Sequence, residues 1–219
     1  MRIIELNRSV TDSNDRDAEA LREKLKERGT LLVNLMSSPG AGKTTLLSRT
    51  ITDRRDQWRI GVIEADIASD VDAVRIEKLG AKAIQAHTDG MCHMDAGMTE
   101  KALKVLGDSD LDLIFLENVG NLICPAEFDT GAAKNVMILS VPEGDDKPLK
   151  YPLMFEKSDV LVITKTDTLS YFDFDLERCV ERVKKLNPDI RIFPLSAVTG
   201  EGFMPWEAWL GEMCRKWKK

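Results

Sequence analysis

The run Ser37-Ser38-Pro39-Gly40-Ala41-Gly42-Lys43-Thr44-Thr45, entered from the apolar stretch Leu31 to Met36, has the residue types and spacing of a loop that cradles phosphate. A buried strand that turns through small residues into a helix aims several backbone N–H groups at one point, and the positive end of the helix adds to their pull on an anion. Gly40, Ala41, Gly42 and Thr45 would line that cradle. Lys43 would reach the terminal phosphates as a catalytic cation, and Thr44 would ligate Mg²⁺. The usual pattern G-x-x-x-x-G-K-[ST] has glycine where this chain has Ser37. The plain alternative is a glycine turn beside a chance lysine.

Three further stretches suit a guanine nucleotide. Thr164-Lys165-Thr166-Asp167 follows Val160-Leu161-Val162-Ile163, which places Asp167 at a strand's carboxyl end. A carboxylate there accepts two hydrogen bonds from the N1–H and exocyclic amine of guanine, a pair that adenine does not offer. The Lys165 stem would lie along the base. Asparagine is the usual residue where Thr164 stands, so support for the neighbouring loop is the open point, and a surface turn is the alternative. Ser196-Ala197 matches the loop whose backbone contacts the guanine carbonyl oxygen. Glu64-Ala65-Asp66 and Glu117-Asn118-Val119-Gly120 each close a strand. Asp66 is the expected second Mg²⁺ contact or the group that handles the attacking water, Glu117 is expected at the nucleotide, and the Gly120 N–H is expected to sense the third phosphate. Asp66 could instead cap the next helix.

Cys92-His93 and Cys124 form a second set. Two thiolates and an imidazole suit Zn²⁺ or Ni²⁺ rather than Mg²⁺. Three ligands leave a position for water or for a second subunit across a two-fold axis. Pro125 is expected to hold Cys124 extended, with its sulfur aimed out of the loop. Alternatively each cysteine is a small core residue and His93 a surface one; Cys179 and Cys214 are expected in the core.

These residues need a scaffold that brings strand ends together. Apolar runs alternate with helical patterns almost throughout, the mark of a mostly parallel seven-stranded α/β sheet with helices on both faces. Strands are expected at 31–36, 59–64, 81–86, 111–117, 135–141, 160–164 and 190–195. Helices are expected at 15–28, 44–53, 70–79, 91–106, 148–156, 175–186 and 205–217. With 219 residues, one domain over 1–219 is the default. Hydrophobic content of 43% and charged content of 31% are ordinary for a soluble protein. A net charge of −6 argues against nucleic acid or an anionic membrane as partner. No run is long and apolar enough for a secretion signal or a membrane span, and four cysteines are too few for a disulfide framework, so a cytoplasmic protein is expected.

Taken together, the phosphate loop, Val62-Ile63-Glu64-Ala65-Asp66, Met91-Cys92-His93, the segment Glu117 to Pro125 and Thr164 to Asp167 occur in the order found in the HypB family, the nickel-insertion GTPases of [NiFe]-hydrogenase maturation. The chain resembles that family over essentially its whole length, and Glu117 to Pro125 is the most specific stretch. The resemblance implies a P-loop NTPase of the SIMIBI class of nucleotide-dependent dimers. It implies GTP and GDP as nucleotides, a homodimer with Cys92, His93 and Cys124 at the dimer face, and a nickel-accepting maturation partner or hydrogenase large-subunit precursor. Neither a cysteine-rich N-terminal motif nor a histidine-rich stretch is present, so the expected metal site is the one in the GTPase domain. With no evident activating glutamine or arginine finger, intrinsic hydrolysis is expected to be slow. Three other readings are a related nickel or cobalamin-linked GTPase, a zinc-holding adaptor without turnover, and a small-molecule kinase. The split of Cys92-His93 from Cys124-Pro125 speaks against the urease type, and Asp167 against an ATP-using kinase.

Overall fold

A computed structural model describes residues 6–65 and 71–218. In chain order the elements are α1 (Leu6–Arg28), β1 (Leu31–Ser37), α2 (Lys43–Arg54), β2 (Ile60–Glu64), α3 (Val71–Lys78), β3 (Lys82–Gln85), α4 (Ala96–Leu106), β4 (Leu113–Glu117), α5 (Cys124–Glu127), β5 (Lys134–Ser140), α6 (Lys147–Lys150), α7 (Pro152–Glu156), β6 (Val160–Thr164), α8 (Leu176–Leu186), β7 (Arg191–Pro194) and α9 (Phe203–Trp217). The strands pair in the order β3-β2-β4-β1-β5-β6-β7, and every pairing is parallel. β1, β2, β4 and β6 are buried from end to end, as their unbroken apolar runs require of central strands covered on both faces. No described helix is long and apolar enough to cross a membrane.

Alternation along β1 divides the interior. Leu31, Val33 and Leu35 face a layer built from Leu46, Leu47 and Ile51 of α2 and Trp206 and Leu210 of α9. Leu32 faces Leu21 and Leu25 of α1 and Leu103 of α4, while Met36 joins a third cluster with Met154, Phe155 and Cys179. β1 sits between β4 and β5, so the segments that leave β1, β2, β4 and β6 all emerge at one edge of the sheet.

Two expected helices are revised. The pattern 91–106 becomes helical only at Ala96. Asp95 takes the N-cap position and its carboxylate accepts the Met98 N–H at 2.7 Å, which starts the helix there. Residues 91–95 therefore form a loop, after a turn with Asp89 and Gly90 at φ 50° and 87°. The pattern 148–156 splits at Tyr151, because Pro152 lacks an N–H and disfavours helical geometry in the residue before it. Cys124 is likewise not held extended. It opens the single turn α5, where Pro125 occupies a first-turn position that needs no N–H donor. The leading helix is longer than 15–28, and most strand bounds shift by one or two residues.

Candidate functional site

β1 feeds a loop in which Gly40 and Gly42 take φ of 75° and 99°, left-handed values that side chains rarely adopt, and α2 begins directly at Lys43. Lys43 is buried, and its Nζ donates to Ser37 Oγ at 3.0 Å. The serine at the position usually held by glycine thus anchors the lysine, and its own hydroxyl donates to Ser38 O at 2.7 Å. Thr45 is exposed as the third residue of α2.

The two other nucleotide stretches close onto this loop. Thr164, at the end of β6, donates its hydroxyl to Ala41 O at 2.7 Å, and Lys165 Nζ donates to Gly40 O at 2.8 Å. Thr164 therefore supplies the support that asparagine usually gives. Lys165 itself sits at φ 61°. Thr166 N donates to Leu195 O at 3.3 Å, which brings the loop carrying exposed Asp167 beside Ser196 and Ala197. Ser196 is locked by its own turn, accepting from Thr199 N at Oγ (3.2 Å) and from Gly200 N at its carbonyl (2.9 Å).

Glu64 and Glu117 are partners across β2 and β4 and are only 1% and 3% exposed. Thr44 Oγ1 donates to Glu117 Oε1 at 3.2 Å, so a hydroxyl at the start of α2 and a carboxylate at the end of β4 face each other. Asp66 lies outside the described residues. Gly120 comes from the same strand end, and a methyl placed on it would lie 2.9 Å from Pro39 Cγ and 3.1 Å from Pro39 N. Only glycine lets the loop after β4 approach the phosphate loop this closely.

Four residues beyond Gly120 is Cys124. Its sulfur, that of Cys92 and a ring nitrogen of His93 all lie within 4.8 Å of one another, the one such group of possible metal ligands among the described residues. Cys92 Sγ is 3.7 Å from His93 Nδ1. Both cysteines are half-buried, whereas His93 is only 5% exposed, a departure from the surface alternative. The His93 ring stacks on Phe128, with centroids 3.8 Å apart and planes 13° from parallel. Burial lowers the His93 pKa from its ordinary 6.5 against the opposing pull of Asp95 and Glu127, so the imidazole is held neutral and able to ligate. The Cys124 thiol is raised above 9.0, first by its hydrogen bond with Cys92 and then by burial. Cys179 and Cys214 are core residues, as expected, with burial pushing their thiols up to about 12 and about 11. Two thiols and an imidazole converging at one half-buried point fit a borderline-soft divalent ion that can enter and leave.

Several residues around this point carry no motif. Phe128 is invisible in the sequence because its partner is 35 positions upstream. Asn14 of α1 accepts from Ala96 N at 3.0 Å and donates to Asp129 O at 2.9 Å, clamping together the two chain segments that follow the metal-ligand loops. Arg22 Nη2 donates to both carboxylate oxygens of Asp129, at 2.8 and 2.7 Å. Asn118 is fully buried and bonds to both loops, and its partner Met94 lies 24 positions upstream, out of reach of any local pattern.

Residues 31–194 match the model of the CobW/HypB/UreG nucleotide-binding domain. The chain is 46% identical to the hydrogenase maturation factor HypB of Azotobacter vinelandii over 209 residues, 95% of this chain and 69% of that protein. Among solved structures, HypB from Archaeoglobus fulgidus superposes with a TM-score of 0.87 at 39% identity, covering 93% of this chain and 99% of that one. HypB from Helicobacter pylori in complex with nickel gives the same TM-score and identity, over 93% and 96% of the two chains.

Proposed function

The chain belongs to the CobW/HypB/UreG family and, within it, to the HypB hydrogenase maturation factors, and we propose that it is a GTP-hydrolysing metallochaperone that delivers nickel during [NiFe]-hydrogenase maturation. The single observation that carries this reading is the short path from Gly120, packed on Pro39 of the phosphate loop, to Cys124. A segment able to feel the third phosphate carries a metal-binding sulfur.

In this reading residues 1–219 act as one GTPase domain. The N–H groups of Gly40 to Thr45 and the Lys43 ammonium hold the phosphates, Lys165 and Asp167 select guanine, and Ser196 and Ala197 contact its carbonyl oxygen. Mg²⁺, held by Thr44 and Asp66, would neutralise charge on the phosphates, with Glu117 at the nucleotide. Lys43 stabilises charge on the transferring phosphoryl group, and Asp66 orients the attacking water. Nickel is the cargo, gripped by Cys92, His93 and Cys124, with Zn²⁺ as a competitor for the same donors. GTP orders the loop after β4 and closes a homodimer over the three ligands. Hydrolysis relaxes that loop, and the ion passes to a nickel-accepting maturation partner or the hydrogenase large-subunit precursor in the cytoplasm.

Phosphate release tests the enzyme, with Lys43→Ala as control. Molecular mass and nickel content with GDP or a non-hydrolysable GTP analogue test the switch, repeated on Cys92→Ala and Cys124→Ala. The expected result is slow GTP hydrolysis absent from Lys43→Ala, and nickel-dependent dimer formation with the analogue that both cysteine variants lose. Mass and nickel content indifferent to nucleotide and to both substitutions would overturn the delivery role, and absence of hydrolysis above the control would leave an adaptor.

A further inference from the structure

Proximity to Gly120 explains how nucleotide state reaches Cys124, but Cys92 and His93 lie on a different loop, after β3. A row of three buried or half-buried side-chain amides runs from that loop into the middle of the sheet, and its first member, Asn118, also holds the loop after β4. Asn118 Oδ1 accepts two backbone N–H groups at once, Met94 N at 3.1 Å and its own neighbour Val119 N at 2.9 Å. Its Nδ2 donates to Asn34 Oδ1 at 3.0 Å, and Asn34 Nδ2 donates to Asn135 Oδ1 at 3.0 Å. Two N–H donors fix which end of the Asn118 amide is oxygen, and the row of amides then has one consistent direction. Asn118 and Asn34 are 0% and 1% exposed, so water cannot replace a bond that breaks.

Met94 follows His93 directly, and Val119 precedes Gly120. We propose that Asn118 is a positioning residue that ties the Cys92–His93 loop to the loop after β4, so that the third phosphate moves both halves of the metal-ligand set together. One carboxamide oxygen has two lone pairs, and both are engaged here. When Gly120 shifts against Pro39 and carries Val119 N with it, the shared acceptor must follow or release Met94 N. Asn34, rooted in the centre of β1, holds the amide so that the shift passes to Met94 instead of being absorbed by rotation of the side chain. This inference rests on the metallochaperone reading above and adds the route to the second loop.

The test uses Cys124→Ala as parent, because Cys179 and Cys214 are buried and Cys92 is then the remaining accessible thiol. Its rate of reaction with a disulfide reagent is compared between the GDP-bound and analogue-bound forms, with GDP affinity as a check on folding. The parent is expected to show a change of about fivefold or more, the low end of usual coupling. Asn118→Ala should bring the ratio to within about twofold of one, whereas Asn118→Asp, which still accepts both N–H groups but cannot donate to Asn34, should fall between the parent and the alanine variant. If Asn118→Ala does not bind GDP, Asn34→Leu, which leaves both donors with their acceptor but removes its anchor, should reduce the ratio instead. A ratio in these variants equal to the parent's overturns the proposal. So does a parent with no ratio at all while the nickel content of the unmodified protein still follows nucleotide, a result that leaves the metallochaperone reading standing. Absence of both responses would overturn the two together.

Discussion

Replacing Gly120 by alanine isolates the contact between the loop after β4 and the phosphate loop. Gly120 does not sit in the left-handed region, so its backbone accepts alanine and only the space around it matters. The added methyl would lie 2.9 Å from Pro39 Cγ and 3.1 Å from both Pro39 Cδ and Pro39 N, and a proline ring with its backbone nitrogen cannot swing aside as a lysine tip can. Overpacking of this kind costs about 1–3 kcal/mol, equivalent to about 5- to 150-fold in an equilibrium constant. The cheaper relief moves the loop after β4, since the phosphate loop is pinned by Lys43, Thr164 and Lys165. With the proposed role of Gly120 at the third phosphate, that shift would withdraw its N–H from a GTP analogue and leave the diphosphate cradle alone. Titration with fluorescent nucleotides should therefore show the non-hydrolysable GTP analogue weakened by about 5- to 150-fold, with GDP affinity changed by no more than about twofold. Thermal unfolding of the nucleotide-free protein should fall by about 2–4 °C for each kcal/mol of strain retained. Equal losses for both nucleotides would mean that the phosphate loop yields first, and no loss in affinity or melting temperature would refute the close approach itself.

Removing the Thr164 hydroxyl as Thr164→Val leaves Ala41 O without its buried partner, and chemical denaturation should register a loss of about 1–3 kcal/mol that Thr164→Ser largely restores. Phe128→Ala removes the ring stacked on His93, a contact worth about 0.5–1.5 kcal/mol beyond its buried area, so nickel affinity measured by calorimetry should fall by about 2- to 13-fold with GDP affinity unchanged. The pKa of His93, followed by NMR, should climb toward 6.5 in the same variant, since the burial that lowers it is partly lost. Because the folded pKa of His93 lies below 6.5, its contribution to stability is fully present above that pH and is lost as the pH falls from 6.5 through the lowered value; His93→Ala should flatten that part of a denaturation profile. Nickel affinity should keep rising with pH above 7, where the Cys124 thiol, raised above 9.0, must give up its proton to bind, and His93→Ala should leave that slope unchanged.

Much of the nucleotide side is legible in the order of residues because its groups are local. A phosphate loop is one strand, one turn and one helix start, and the glycines at 40 and 42 announce the backbone values that the turn needs. Parallel sheet architecture is equally legible, since strands buried on both faces need unbroken apolar runs such as Val160 to Thr164. At 91–106 and 148–156 a cap at Asp95 and a proline at 152 override the periodic pattern. Periodicity reports which face is buried, while hydrogen bonding at the ends decides where a helix starts.

The sequence by itself determined the fold class, the stretches proposed to bind nucleotide and the identity of three possible metal donors, because each depends on residue type and short spacing. Only the tertiary structure decided that Cys92, His93 and Cys124 meet within 4.8 Å, that Phe128 covers His93, that Thr164 takes the place of asparagine, and that Asn118 joins two loops 24 positions apart. These pairings arise from strand order: β2 and β4 lie side by side although α3, β3 and α4 separate them in the chain, so contacts between the loops that follow β3 and β4 have no local signature. Burial then does the rest, making the neutral imidazole and the shared amide oxygen the stable choices where water is excluded.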